Sequence, residues 1–199
     1  MASSPMVSAH DAQPTTVGRR PDRRPPRTIQ RVLDAGLDEL RQTDYADLTM
    51  RAVAARAGVS AASAYKYFPS KSALVAAIYL GLLRAVPSQI QSDDTPKTRL
   101  NAMIRDMALV AADEPELLNA FAAAVMAEDP AVGPIREEIA EEVAKRISIA
   151  LGPGWSRAVK STLLLTFSGA LMAARFVPYD LVIRQLGDSV ELILGAAVA

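Results

Sequence analysis

The chain has 199 residues, half of them hydrophobic, and its 22 basic and 22 acidic side chains give a formal net charge of zero. It has no cysteine, which excludes disulfides and thiolate metal sites. Its single histidine, His10, disfavours histidine-dependent catalysis. No nucleophile–base pair is visible, so a helical hydrolase or lyase is a weak rival. We expect no catalytic residue, no metal site and no cofactor.

Targeting and membrane signals are missing from the sequence. Residues 1–27 lack the apolar run of a signal peptide, and the longest uncharged helical stretch, between Lys160 and Arg175, is shorter than the ~20 residues of a membrane span. These observations predict a soluble cytoplasmic protein with no membrane partner.

Charge is distributed unevenly along the chain. Residues 1–71 carry 11 basic and 7 acidic side chains, whereas residues 72–199 carry 11 basic and 15 acidic ones. A basic front and an acidic back fit a DNA-facing end joined to a part with another task.

Residues 1–27 are rich in Ser, Pro, Thr and Arg and show no periodicity, which predicts a flexible basic arm. Residues 18–27 contain five arginines. This segment is either a solubilising tail or an arm that contacts phosphates or a minor groove, and the pattern leaves both open.

From Thr28 onward, apolar spacing and capping residues predict an all-α chain of about nine helices. Proline at first helical positions and the break at Gly152-Pro153-Gly154 set most later boundaries. The predicted helices span about 28–41, 50–57, 61–67, 71–86, 96–112, 115–127, 134–151, 156–176 and 179–196.

Residues 49–74 have the anatomy of a helix-turn-helix. Thr49, Ser60 and Ser70 stand where helix N-caps belong, and Gly58 can adopt the left-handed backbone of a tight turn. The pattern predicts two short helices that cross closely at Ala54, and therefore a unit that reads the major groove of DNA.

The sequence of this segment resembles the DNA-binding signature of the TetR family of bacterial transcriptional regulators. The resemblance covers roughly residues 28–74 and is most specific in the exit Tyr65-x-Tyr67-Phe68-x-Ser70-Lys71. The family often has Gly at position 62 and Glu at position 72, where this chain has Ala62 and Ser72. Ala62 therefore alters which base edge can be touched.

The resemblance implies three parts: a flexible arm (1–27), a helix-turn-helix DNA-binding domain (28–74) and a ligand-binding and dimerisation domain (75–199). It implies a homodimeric repressor that a small, mainly apolar effector releases from a palindromic double-stranded DNA operator. The homodimer would form through the last two helices, which are apolar over much of their circumference and need cover on several sides. The alternative is a dimeric DNA-binding scaffold with a filled core and no inducer.

The resemblance also implies roles for single residues. Residues 61–63 and Lys66 would contact base edges. Phosphates would be bound by Thr49, Tyr65, Tyr67 and Lys71. Arg51 would reach a phosphate or a guanine, and Phe68 would lie in a small core. The predicted DNA-binding residues are Thr49, Arg51, Ser60, Ala61, Ala62, Ser63, Tyr65, Lys66, Tyr67 and Lys71.

Apolar residues on the later helices are candidates for the effector pocket, because methionine and phenylalanine suit an adaptable cavity. For each one, plain core is the alternative. The predicted ligand-binding residues are Met103, Met107, Phe121, Val125, Phe167 and Leu171.

An acidic cluster lies at residues 137–142. Glu141–Lys145 and Glu142–Arg146 are i,i+4 pairs in the favourable order, which predicts a solvated helix face. A cation-binding role is the alternative.

Overall fold

The computed structural model describes residues 24–87, 93–174 and 176–197. Over these ranges the chain forms nine α-helices and no strand, which confirms the predicted all-α class. The helices are α1 (Arg24–Leu40), α2 (Met50–Arg56), α3 (Ala61–Tyr67), α4 (Lys71–Ala85), α5 (Pro96–Asp113), α6 (Pro115–Val125), α7 (Gly133–Leu151), α8 (Arg157–Ala173) and α9 (Tyr179–Ala196). None of these helices is both long and apolar enough to cross a membrane.

The start of α1 differs from the prediction. The helix begins at Arg24 rather than Thr28, so residues 24–27 of the predicted arm are helical. Pro25 and Pro26 are tolerated because they fall in the first turn, where an amide hydrogen would have no helical partner. The prediction for residues 1–23 lies outside the described residues.

The end of α8 also differs from the prediction. The helix ends at Ala173, three residues early, and the amides of Phe176 and Val177 both donate to the Ala173 carbonyl in a closing turn. Pro178 disfavours the helical conformation at Val177, so the chain cannot continue as a helix past this turn.

Helix α4 is the centre of the molecule. It packs against α1, α5, α6 and α7, and most of its side chains are buried, among them Leu74, Val75 and Ile78. The buried apolar cluster is continuous from Val32 in α1 to Leu194 in α9. Helix α4 therefore touches both the early and the late helices.

A buried arginine holds the C-terminal end of α4. Arg146 of α7 is 6% exposed and donates to the carbonyls of Leu83 (2.8 Å) and Val86 (3.0 Å) and to the Glu142 carboxylate (2.8 Å). The predicted Glu142–Arg146 pair forms, but the prediction of a solvated face is wrong for Arg146. The helix end leaves carbonyls without helical partners, and the guanidinium satisfies them.

Ion pairs connect the early helices to each other and to the later ones. Arg56 of α2 binds Glu39 of α1, with Nε 2.6 Å from Oε1. At the end of α1, Arg41 makes a two-pronged contact with Glu114, the residue between α5 and α6. Helices α1 and α2 are thus tied to each other, and α1 to the junction of two later helices.

Candidate functional site

Helices α2 and α3 are held by their caps and by packing. Each has seven residues, which is too short for a stable isolated helix. The Thr49 hydroxyl accepts from the Ala52 amide (3.2 Å), and the Ser60 hydroxyl accepts from the Ser63 amide (3.1 Å). Gly58, between the helices, has a φ of +64°. The predicted caps and the left-handed turn are confirmed.

The two helices cross on small side chains. Ala54 of α2 and Ala64 of α3 are almost fully buried, and Phe68 closes the cluster from the end of α3. Alanine at both positions allows the backbones to approach closely. The prediction that Phe68 belongs to a small core is confirmed.

One face of α3 is open to solvent. Ala62, Tyr65 and Lys66 are exposed at helical spacing, with Tyr65 48% exposed. They present a methyl group, a phenol and an ammonium group. A methyl can meet a thymine methyl, and an ammonium can donate to the acceptors of guanine.

The other predicted residues of α3 are less open. Ala61 and Ser63 are half-buried. Tyr67 is half-buried against the core, and the Lys66 ammonium lies 5.9 Å from the centre of its ring. Ser60 is exposed, although its hydroxyl serves as the helix cap.

Two arginines of the helices next to α3 are exposed. Arg51, in the first turn of α2, is exposed and makes no ion pair or hydrogen bond with another described residue. Arg31 of α1 is also exposed and unpaired within the described chain, and its Nη1 lies 3.9 Å from where a Cβ on Gly58 would be. The sequence analysis missed Arg31. The available signal was its i,i+4 spacing from Arg27.

Lys71 is placed differently from the other predicted DNA-binding residues. It is the first residue of α4, and its ammonium donates to the carbonyls of Tyr45 (2.8 Å) and Ala46 (2.9 Å). The same nitrogen lies 4.7 Å from the centre of the Tyr45 ring. Lys71 is therefore bound to the loop between α1 and α2.

A small apolar cavity of about 30 Å³ lies between α4, α5, α8 and α9. None of its described lining residues carries a charged side chain. Its walls are Tyr79, Ile104, Met107, Phe167, Ala170, Leu171, Ala174, Tyr179, Val182, Ile183 and Leu186.

Three of the six predicted ligand-binding residues line this cavity: Met107, Phe167 and Leu171. The other three do not. Phe121 lies behind Tyr79, with the two ring centres 4.0 Å apart. Met103 is buried in the core, and Val125 is half-buried at the end of α6.

Tyr79 is one of two tyrosines in the cavity wall, neither of which the sequence analysis predicted. It is 3% exposed, and burial raises the pKa of its hydroxyl above the ordinary value. The hydroxyl makes no hydrogen bond to another described residue. A lone tyrosine in the middle of an apolar helix was the only signal in the sequence.

Helices α8 and α9 expose apolar and small side chains on their outer side. Leu165 and Leu192 are 73% and 74% exposed. Beside them Gly169 and Gly195 have open space where a Cβ would be. Another face of α9 is turned inward, where Val182, Leu186, Val190 and Leu194 are buried.

Comparison with known proteins identifies the chain. Residues 32–78 match the family described as bacterial regulatory proteins, tetR family. An uncharacterized HTH-type transcriptional regulator of Mycobacterium tuberculosis H37Rv is 42% identical over 180 residues, which cover 88% of this chain and 84% of the relative. The chain belongs to the TetR family. It is therefore a DNA-binding transcriptional regulator of the helix-turn-helix type, and the matched segment contains every predicted DNA-binding residue.

Solved structures of TetR-family proteins share the fold. A TetR transcriptional regulator from Rhodococcus sp. RHA1 superposes with a TM-score of 0.74 at 21% identity, covering 86% of this chain and 97% of that one. Thermus thermophilus FadR, a TetR-family repressor in complex with lauroyl-CoA, gives a TM-score of 0.61 at 21% identity, with 83% and 93% coverage.

Proposed function

We propose that this TetR-family regulator is a homodimeric repressor that a small, mainly apolar ligand releases from a palindromic operator. The observation that carries the proposal is the position of α4. It starts beside the helix-turn-helix, at Lys71, and two turns later it places Tyr79 in the wall of the apolar cavity. A ligand that shifts α4 would therefore shift the DNA-reading helices.

The proposed DNA contacts lie at the start of α3, on its exposed face and at two exposed arginines. Lys66 and the three residues that open α3 would meet base edges, because the N-terminal part of a recognition helix enters the major groove. Tyr65, Tyr67 and Thr49 would bind phosphates. Arg51 and Arg31 would add charge on either side, since neither has a partner among the described residues.

The dimer contact would use the exposed face of α8 and α9. Two leucines that are about three-quarters exposed, next to glycines that allow close approach, are typical of a surface covered by a second copy. A two-fold dimer would present two α3 helices to half-sites about 34–36 Å apart.

The ligand class follows from the cavity wall. With apolar side chains and two tyrosines as its lining, the cavity suits an uncharged apolar group, and the lauroyl-CoA complex of Thermus thermophilus FadR supports this class. Its 30 Å³ holds about two waters, far below the ~300 Å³ of a typical ligand pocket. A ligand would have to enlarge the cavity, and that expansion would displace α4.

The same small volume supports a second candidate, a DNA-binding scaffold without an inducer. The two differ in one measurable respect. For the scaffold, apolar compounds neither raise the thermal midpoint nor release DNA.

The DNA-binding assignment is tested with duplexes selected from a random pool on the wild-type protein. Tyr65→Ala and Lys66→Ala should each weaken binding by about tenfold or more, the effect of losing about 1.4 kcal/mol of contact. Lys145→Ala removes an exposed charge from α7 and is the matched control. Wild-type affinity in both α3 variants would refute the assignment.

The dimer is tested by sedimentation. The double variant Leu165→Glu/Leu192→Glu should be monomeric at concentrations where the wild type is dimeric. Ile149→Glu, at a residue of α7 that is 47% exposed, is the control and should remain dimeric. A dimeric double variant would place the interface elsewhere.

The ligand proposal is tested with lauroyl-CoA as the probe. It should release a labelled selected duplex from the wild type. It should not release the duplex from Ala170→Phe, where a phenyl ring in place of a methyl group fills the cavity. Duplex binding by Ala170→Phe without lauroyl-CoA is the control for folding. No release from the wild type, with no shift in thermal midpoint, would favour the scaffold.

A further inference from the structure

The Tyr79 hydroxyl is a buried polar group without a partner in the described part of the chain. Tyr79 lies in the middle of α4 and is 3% exposed, yet its hydroxyl makes no hydrogen bond to another described residue. An unpaired hydroxyl in apolar surroundings costs free energy, so buried hydroxyls in proteins nearly always have a partner. This exception points to a partner that comes from outside the chain.

The hydroxyl oxygen is in contact with open space rather than sealed among side chains. Among the described residues, no side-chain oxygen or nitrogen that is sealed from solvent lacks a hydrogen-bond partner. Because the Tyr79 oxygen has no partner, it must keep some accessible surface. The space available to it is the apolar cavity, whose wall includes Tyr79. Phe121 stacks on the Tyr79 ring from outside the wall, with the ring centres 4.0 Å apart, and so limits how the ring can turn.

Water is a poor partner for this hydroxyl. The cavity volume of about 30 Å³ admits about two waters, but a buried water needs about two to four polar partners. Apart from Tyr79 and Tyr179, the described lining side chains are alkyl, thioether or phenyl groups. A better partner is the polar group of a molecule whose remaining atoms are hydrocarbon.

The cavity wall also limits the charge of that polar group. None of the described lining residues is charged, so a carboxylate or an ammonium group would lose its hydration there without gaining a counter-ion. Burial disfavours the ionised form of the Tyr79 hydroxyl and raises its pKa, so the hydroxyl keeps its hydrogen and can donate it. The matching group is a neutral acceptor, such as the carbonyl oxygen of a ketone, an ester or an amide.

We propose that Tyr79 determines the specificity of the effector cavity and selects uncharged apolar compounds that carry a carbonyl-type hydrogen-bond acceptor. This inference rests on the proposed ligand-responsive function and narrows its ligand class. The Tyr79 hydroxyl donates to the acceptor, while Met107, Phe167 and Leu171 contact the hydrocarbon part. Because Tyr79 belongs to α4, the hydrogen bond attaches the ligand to the helix that begins beside the helix-turn-helix.

Two compounds of nearly equal shape test this preference. Acetophenone and α-methylstyrene differ only in a carbonyl oxygen that is replaced by a methylene group. Tyr79→Phe should weaken acetophenone binding about fivefold or more, the effect of losing one hydrogen bond, and should not weaken α-methylstyrene binding. Benzoate, the anion of similar size, should bind to neither protein. Isothermal calorimetry measures all three affinities.

Tyr45→Phe is the matched control for this experiment. The Tyr45 hydroxyl already has a partner, since it lies 2.9 Å from the Ser72 hydroxyl, and Tyr45 does not line the cavity. Its removal should leave the affinities for both neutral compounds unchanged. The inference is wrong if Tyr79→Phe changes both affinities equally or neither, or if the wild type binds neither compound.

Thermal unfolding without a ligand gives a second readout. Tyr79→Phe removes an unpaired hydroxyl and should leave the thermal midpoint unchanged or raise it, whereas Tyr45→Phe removes a hydrogen-bonded one and should lower it. A drop in Tyr79→Phe as large as that in Tyr45→Phe would mean that the hydroxyl already has a partner, such as a buried water. That result would overturn the inference.

DNA release separates the failure of this inference from the failure of the proposed function. If lauroyl-CoA releases a selected duplex from the wild type but Tyr79→Phe does not discriminate between acetophenone and α-methylstyrene, only the inference fails. If none of the three compounds releases the duplex or shifts the thermal midpoint, the ligand-responsive function fails and the inference fails with it.

Discussion

The two functional regions of the molecule are held together in different ways. In the reading end (the loop 41–49, α2, α3 and the first turn of α4), polar side chains bind the backbone at each helix start: Thr49, Ser60 and Ser70 as caps, Lys71 on the loop. Around the cavity, α4, α5, α8 and α9 meet through apolar side chains. Partners in the reading end are mostly close in sequence, whereas those around the cavity are distant.

The largest expected effect comes from the residue that departs from this contrast. Arg146 is a buried charge in the apolar half, so Arg146→Met should lower the free energy of unfolding by about 3–5 kcal/mol. The loss arises because the Glu142 carboxylate loses its 2.8 Å partner and the carbonyls of Leu83 and Val86 each lose a donor. Urea unfolding at a fixed protein concentration measures it, since dimer formation makes the midpoint concentration-dependent.

The neighbouring lysine provides the control for this prediction. Lys145 has a side chain that is 69% exposed, and Lys145→Met should change stability by less than about 0.5 kcal/mol. Adding Glu142→Leu to Arg146→Met should recover part of the loss, because no buried charge then lacks a partner. A loss under about 1 kcal/mol in Arg146→Met would show that the carbonyls of Leu83 and Val86 find other donors.

Backbone conformation offers a comparison between the reading end and the middle of α4. Gly58→Ala should cost about 1–2 kcal/mol, because the residue has a φ of +64° and the left-handed region is unfavourable for a side chain. Space is available, since the nearest atom, Arg31 Nη1, is 3.9 Å from the new Cβ. If the turn instead relaxes into another conformation, the same free energy should appear as a weaker affinity for DNA rather than as lost folding stability.

Gly81→Ala is the matched control, within helical backbone. Gly81 lies inside α4 with open space around it, so alanine should stabilise the protein by about 0.5–1 kcal/mol. Opposite signs for one substitution would confirm that backbone conformation, not volume, decides. Equal effects would contradict that explanation.

The contrast also explains what the sequence could predict. Caps and the turn glycine act over three or four residues, so Thr49, Ser60 and Gly58 could be assigned from spacing alone. All nine described helices were expected for the same reason, with errors only at ends such as Arg24, where prolines fit a first turn.

Residues whose roles depend on distant partners could not be assigned in this way. Tyr79 faces the cavity only because α5, α8 and α9 surround it. Lys71 matched a family motif, but its partners are loop carbonyls about 25 residues earlier in the chain. The i,i+4 spacing of Arg146 from Glu142 predicted a solvated pair, because the sequence does not show that the end of α4 lies beside it. Periodicity identifies a buried face without saying what covers it.

The same capping change in each region should separate stability from function. Ser60→Ala and Ser156→Ala both remove a hydroxyl that caps a helix, at α3 and α8 respectively, and each should cost about 1 kcal/mol of stability. Only Ser60→Ala should also weaken DNA binding, because α3 has seven residues and little else fixes its start. Weaker DNA binding in Ser156→Ala alone would reverse the assignment of the two regions.

The smallest expected effect concerns a contact that joins the regions. Asp129 lies in the loop between α6 and α7, and the Ser70 hydroxyl at the start of α4 and the Ala131 amide, which donates to its Oδ1 at 2.9 Å, lower its pKa. A carboxyl with a depressed folded pKa stabilises the fold above its unfolded value of about 3.9, and this contribution is lost as the pH falls through the folded pKa.

The wild type should therefore be slightly more stable than Asp129→Asn by a constant amount between about pH 5 and 7, and the difference should shrink below about pH 4. Because the Ser70 hydroxyl is the largest cause of the lowered pKa, the Asp129 effect should shrink in a Ser70→Ala background, with the remainder due to the Ala131 amide. A full effect in that background would mean that the carboxylate acts through its own loop and that this contact does not couple the cavity helices to the reading end.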